Sequence, residues 1–167
     1  MNQKRGKNIM DKNVTVLRIE DPREKQRIAR QILEALKEWF EVEESREQYI
    51  ADCKDWIFLA AKMEEEYVGF ICLRETGKAT VDLAVMGVLK SCHRHGVGRA
   101  LFEEAKKIAA QEGYSFMQVK TVRMGMYEDY DRTNRFYLGV GFQEFEVLPE
   151  LWDEANPCQI YVMYLGQ

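Results

Sequence analysis

One junction constrains this chain more than anything else in it: a strand that runs into a basic, glycine-bearing loop and then at once into an amphipathic helix. The segment reads Val88-Leu-Lys-Ser-Cys-His93-Arg94-His95-Gly96-Val97-Gly98-Arg99-Ala-Leu-Phe. Thr80 to Val88 has the apolar, β-branched character of a strand, and Val97, Leu101, Ala105 and Ile108 then share one helical face. A helix N-terminus leaves backbone N–H groups free and carries the positive end of the helix dipole, so the junction is a ready anion site. Gly96 and Gly98 let the backbone approach a ligand without an intervening Cβ. Arg94 and Arg99 add nearby positive charge, with His93 and His95 beside them. A plain tight turn, with glycines serving geometry alone, would use the same residues.

Two nucleotide motifs are excluded at this junction. Leu101 stands where the third glycine of G-x-G-x-x-G belongs, and no Gly-Lys-Ser/Thr occurs. The charge balance narrows the field further. Lys and Arg number 24 against 28 Asp and Glu, a net charge of −4, which argues against a basic surface for nucleic acid or an anionic membrane. Against that acidic background the local basic loop stands out. The four cysteines, Cys53, Cys72, Cys92 and Cys158, form no C-x-x-C pair, so we expect reduced thiols, no metal site and a cytoplasmic protein. No apolar run approaches the ~18 residues of a membrane span. Residues 1–13 read as a flexible polar tail and 14–167 as a single domain.

The rest of the chain supplies a scaffold for the junction. Val14 to Ile19 alternates as a strand does, and Asp21-Pro22-Arg23-Glu24 has the N-cap, first-turn proline and capping glutamate of a helix start. Ile28, Ile32, Leu36 and Phe40 continue that helix, and a weaker helical stretch covers residues 45–55. Strands follow at Trp56–Ala61, Tyr67–Leu73 and Thr80–Val88, with Glu64-Glu65-Glu66 as a solvated turn. The helix after the glycine loop ends at Gly113; Phe116–Val122 is a strand, Thr133–Leu138 a short helix, and Phe142–Val147 and Gln159–Leu165 the last strands. The order βααβββαβαββ predicts a mixed α/β (α+β) domain around one sheet.

Two motifs in the correct order make the reading specific. His93-Arg94-His95-Gly96-Val97-Gly98, preceded by Met86-Gly-Val88, resembles the signature Q/R-x-x-G-x-G/A of the GNAT N-acetyltransferase superfamily. Phe136-Tyr137-Leu-Gly-Val-Gly141-Phe142 is similar to the family's F-Y-x-x-x-G-F. His93 departs from the Gln or Arg of the first motif. The asparagine that the family often carries seven residues before the tyrosine is Tyr130 here, with Asn134 as a nearby substitute.

The resemblance implies a mostly antiparallel central sheet, flanked by helices, whose middle strands splay to admit acetyl-CoA as co-substrate. Met86 and Val88 would offer backbone groups to the pantetheine, and the amides from His93 to Arg99 would hold the pyrophosphate, with Asn134 alongside. Tyr137 would be the general acid for the departing thiolate. Asp82 is the candidate general base, read as sharing strand parity, and hence a face, with Met86 and Val88; the other reading is a solvent-facing strand aspartate. The acceptor would be a primary amine of a small molecule, peptide or protein. Tyr127-Glu128-Asp129-Tyr130-Asp131 would hold it by charge and cation–π contact, or else form a solvated loop. Trp39 and Phe40 either enter the core or border the acceptor cleft, and residues 151–158 could serve as a lid or as a contact in a homodimer. The alternative function is a non-catalytic acyl-CoA sensor, for which a Phe or Leu at 137 would speak; the tyrosine favours the enzyme.

Overall fold

The computed structural model describes residues 13–166, so the tail expected over residues 1–13 lies, apart from Asn13, outside the described residues. The chain runs β1 (Thr15–Arg18), α1 (Pro22–Ala35), α2 (Glu43–Asp52), a 3₁₀ turn at Cys53–Asp55, β2 (Ile57–Met63), β3 (Glu66–Gly77), β4 (Thr80–Val88), a 3₁₀ turn at Lys90–Cys92, α3 (Val97–Gln111), β5 (Phe116–Val122), α4 (Glu128–Gly139), β6 (Gln143–Asp153) and β7 (Asn156–Tyr164). Seven strands form one sheet in the order β1-β2-β3-β4-β5-β7-β6. Every pairing is antiparallel except β4 with β5. The expected mixed, mostly antiparallel α/β fold is therefore present.

Strand alternation sorts the apolar side chains onto the two faces of the sheet. Leu59, Ile71, Val81 and Val119 meet Leu101 and Phe102 of α3, while Phe58, Phe70 and Val85 meet Ile28, Ile32 and Leu33 of α1. Asp21 caps α1 as its sequence suggests, its Oδ1 accepting from the amides of Arg23 at 2.8 Å and Glu24 at 3.0 Å. The helix stops short of the expected Phe40. Leu36 leaves helical geometry at φ −113°, ψ 35°, and the Trp39 and Phe40 amides both turn back to its carbonyl.

Three elements run longer than their apolar patterns indicate. β3 continues through the polar Arg74-Glu75-Thr76 because those residues face β4 across a hairpin closed at Gly77 and Thr80. α4 begins at Glu128, since Glu128, Asp129 and Asp131 suit the positive end of a helix dipole and form its first turn. β6 and β7 form a hairpin closed at Asp153 and Asn156, so residues 151–158 are its tip. That tip is tied to the start of α4 by the Tyr127 hydroxyl, which donates to the Ala155 carbonyl at 3.1 Å. No helix among the described residues is long and apolar enough to cross a membrane.

The feature that positions the site is a parting of the middle strands. β4 and β5 pair only at Thr80–Phe116, Val81–Met117 and Asp82–Gln118. From there β5 stays with β7 along its whole length, and β4 stays with β3. A wedge opens between the second halves of β4 and β5.

Candidate active site

A β-bulge in β4 decides which side chains see which side of that wedge. Val85 pairs with Cys72 and Leu83 with Leu73, which leaves Ala84 without a partner and inverts the alternation. Val81 and Leu83 accordingly pack on the α3 side, Val85 on the α1 side, and Met86 and Val88 on the α3 side again. The parity expected for Asp82 is therefore corrected. Asp82 faces the α1–α2 side, opposite to Met86 and Val88, because one extra residue lies between them.

The glycine loop supplies a row of free donors. The Cys92 and His93 amides are used by Leu89 and Lys90 carbonyls, at 2.9 and 3.1 Å. From Arg94 to Arg99 no described residue accepts from the backbone N–H groups, and no side chain caps α3. The row expected from His93 thus begins one residue later. The loop turns through left-handed conformations at Arg94 (φ 63°) and Gly96 (φ 76°). A Cβ at Gly96 would meet nothing within 4 Å, so the approach to this row is open. Gly98 serves packing instead: a Cβ there would lie 3.2 Å from the Met86 methyl and 3.4 Å from the Phe136 ring.

His93 acts through its ring. Leu89 donates to Val68 on the β3 side, so alternation turns the polar groups of Val88 toward the wedge. The His93 Nε2–H donates to that Val88 carbonyl at 2.7 Å, which engages one of the groups expected to face the pantetheine and fixes the tautomer. Trp39 lies edge-on to His93 with centroids 5.9 Å apart, and Lys90, bonded to Glu38, sits over the Trp39 ring. Half-buried Trp39 therefore braces the loop, while Phe40 packs edge-on against Tyr49.

Tyr137 is 7% exposed, its ring in contact with Phe136, Phe142 and Tyr161. Its hydroxyl has no hydrogen-bond partner among the described residues. Burial, then the negative charge of Asp82, then Tyr49, push its pKa well above the ordinary tyrosine value. The phenol stays protonated and is a standing hydrogen-bond donor.

Asn134, expected beside the cofactor, is a structural residue. It is fully buried, its amide nitrogen donates to the Val122 carbonyl at 2.8 Å and the Tyr130 carbonyl at 2.7 Å, and its oxygen accepts from the Tyr161 hydroxyl at 2.5 Å. Both amide hydrogens are engaged, so no donor is left for a ligand. This clamp ties α4 to the outer end of β5.

Around Asp82 lie groups that the sequence did not single out. Its Oδ2 takes an Arg74 N–H at 2.7 Å and lies 3.5 Å from the Lys120 ammonium, while its Oδ1 is buried without a partner among the described residues. Arg74 rests on the Trp56 ring, 5.6 Å from its centroid. A cavity of about 370 Å³ beside them is lined by Glu44, Tyr49, Asp52, Trp56 and Arg74, among others. The acids of α4 are otherwise occupied: Arg132 pairs with Glu128 and Asp129, and Asp131 accepts from the Gly125 amide at 2.7 Å. Tyr130 of that segment is half-buried, and burial, then Tyr49 and Glu41, raise its pKa.

A wedge in a seven-stranded sheet, with free amides at its mouth, a buried phenol on one side and a buried carboxylate on the other, makes up the candidate site. The sequence profile of the acetyltransferase (GNAT) family matches residues 29–142, more than half of the chain, and the chain belongs to that family. Solved structures share its fold at low identity. An aminoglycoside 6'-acetyltransferase type Ii superposes with a TM-score of 0.76 at 19% identity, over 92% of this chain and 98% of that one. An aminoglycoside 6'-N-acetyltransferase complexed with coenzyme A gives 0.71 at 18%, over 92% and 98%. The ribosomal-protein-S18-alanine N-acetyltransferase from Escherichia coli gives 0.71 at 13%, over 93% and 96%. No curated protein matches the chain in sequence.

Proposed function

We propose that the chain is an N-acetyltransferase that moves an acetyl group from acetyl-CoA to the primary amine of a small cationic acceptor by direct attack on the thioester. The observation that carries this reading is the pairing of β4 with β5, which ends at Asp82 and Gln118 and leaves a wedge between Tyr137 and Asp82. In acetyl-CoA the diphosphate would meet the amides of Arg94 to Arg99, and the pantetheine would lie along the wedge edge of β4 at Met86. The residues present fit it: these donors have no partner among the described residues and a Cβ at Gly96 would meet nothing within 4 Å.

The chain's own groups then divide the chemistry. Asp82, directly or through a water, takes the proton that makes the ammonium a nucleophile. Tyr137 donates to the sulfur as the C–S bond breaks, so the thiolate leaves as a thiol. The cavity acids Glu44 and Asp52 favour a cationic acceptor, and several structural neighbours act on aminoglycosides. We further propose that residues 14–167 act as one domain in the cytoplasm.

Release of free thiol from acetyl-CoA, measured across polyamines, aminoglycosides, amino acids and peptide N-termini, tests the reading. Thiol release that depends on a cationic small amine is expected. Tight CoA binding without release for any acceptor would favour the sensor instead.

A further inference from the structure

The Arg74 guanidinium occupies a complete cation site inside the candidate acceptor cleft. One face of it lies on the Trp56 indole, and one N–H reaches the carboxylate of Asp82, whose side chain is only 5% exposed. A cation over an aromatic face with a desolvated carboxylate beside it is the arrangement that recognises an organic ammonium ion. Arg74 is accessible from solvent: its side chain is 45% exposed, on a long flexible stem, and borders the 370 Å³ cavity. Glu44 and Asp52 border the same cavity, so a displaced guanidinium has carboxylates to meet. Lys120, 3.5 Å from Asp82, keeps the buried carboxylate partly neutralised during an exchange. The second oxygen of Asp82 already lacks a partner among the described residues.

We propose that Arg74 is an internal stand-in for the acceptor: an incoming primary alkylammonium ion displaces it from Trp56 and Asp82, and the reacting amine thereby reaches the carboxylate. This rests on the reading of the cleft as the acceptor site. It makes Arg74 a specificity residue, because a neutral or anionic acceptor gains nothing at a site built for a cation. It also means that the free protein competes with its own substrate, since apparent affinity falls by the fraction of time Arg74 holds the site.

The test is a calorimetric titration of 1,4-diaminobutane into the wild type, Arg74→Met and Arg74→Gln, with Trp fluorescence read in parallel and Trp56→Phe as the control for that signal. Removing the resident cation is expected to tighten diamine binding about tenfold in both variants. The gain should vanish when Asp82→Asn is added. Unchanged or weaker binding in folded Arg74→Met and Arg74→Gln overturns the proposal and leaves Arg74 a structural partner of Asp82. A separate titration with CoA distinguishes the two failures. Absent CoA binding removes the acetyltransferase reading whatever the diamine does; intact CoA binding with no gain in diamine affinity removes only the displacement.

Discussion

Asp82 and Tyr137 stand on opposite faces of the sheet, at the point where β4 and β5 part, and burial, with the charge of the first added to it, raises the pKa of the second. A bond lying in the wedge would have a proton donor on one side and a proton acceptor on the other. Local elements create this relationship: the Ala84 bulge turns Asp82 away from Met86, and the Asn134 clamp holds α4 against β5.

Removing the Tyr137 hydroxyl tests the donor. Tyr137→Phe leaves no orphaned partner, because none of the described residues bonds to that oxygen. Its melting temperature and CoA affinity should match the wild type, while kcat falls about 10²-fold or more. The raised pKa adds a sign. The donor stays protonated through pH 10, where an ordinary tyrosine ionises, so the wild-type rate should show no alkaline loss from this group in that range.

Asp82→Asn keeps the shape of the side chain and removes its charge. We expect kcat to drop by about 10²-fold. Arg74 and Lys120 lose their shared anion, so stability falls by about 1–3 kcal/mol, read by denaturant titration. A variant with full rate at every pH would show that Asp82 serves the ion network alone.

Asn134→Ala separates a structural role from a cofactor role. Loss of the side chain strands the Val122 carbonyl and the Tyr161 hydroxyl, at a cost of about 2–4 kcal/mol. CoA affinity of the remaining folded protein should change little. A large loss of affinity without a loss of stability would restore the cofactor contact that the hydrogen bonds argue against.

The loop makes a further prediction. Gly98→Val places branched carbons into the space held by Met86 and Phe136, costing about 1–3 kcal/mol of stability. Because that contact lines the wedge, the dissociation constant for CoA should rise at least about tenfold. Gly96→Ala meets no atom and costs only the left-handed backbone, about 1–2 kcal/mol.

How far the sequence carries can be traced residue by residue. The glycine loop, the strand before it and the helix after it were legible because periodicity changes sharply there, and Asp21 announced its own helix. The Ala84 bulge was not, since an extra strand residue leaves no mark in composition and inverts every parity argument beyond it. The start of α4 was hidden by charge: Glu128, Asp129 and Asp131 look like a solvated loop and instead satisfy a helix dipole. Asn134 resembled a ligand-facing asparagine, yet Val122 and Tyr161, distant in sequence, and Tyr130, one helical turn back, consume its polar atoms. Arg74, Trp56 and Tyr49 come from three separate elements and meet only in the fold, so no local pattern could join them; the polar end of β3 was the one faint signal.

The most direct test of the account is the stoichiometry of thiol release from acetyl-CoA, measured for the wild type and Tyr137→Phe with 1,4-diaminobutane and a panel of other amines. The account predicts one thiol released per amine acetylated, no release without an amine, and a loss of about 10²-fold in the variant. Acetyl-CoA bound without release for every amine, or equal release by both proteins, would contradict it.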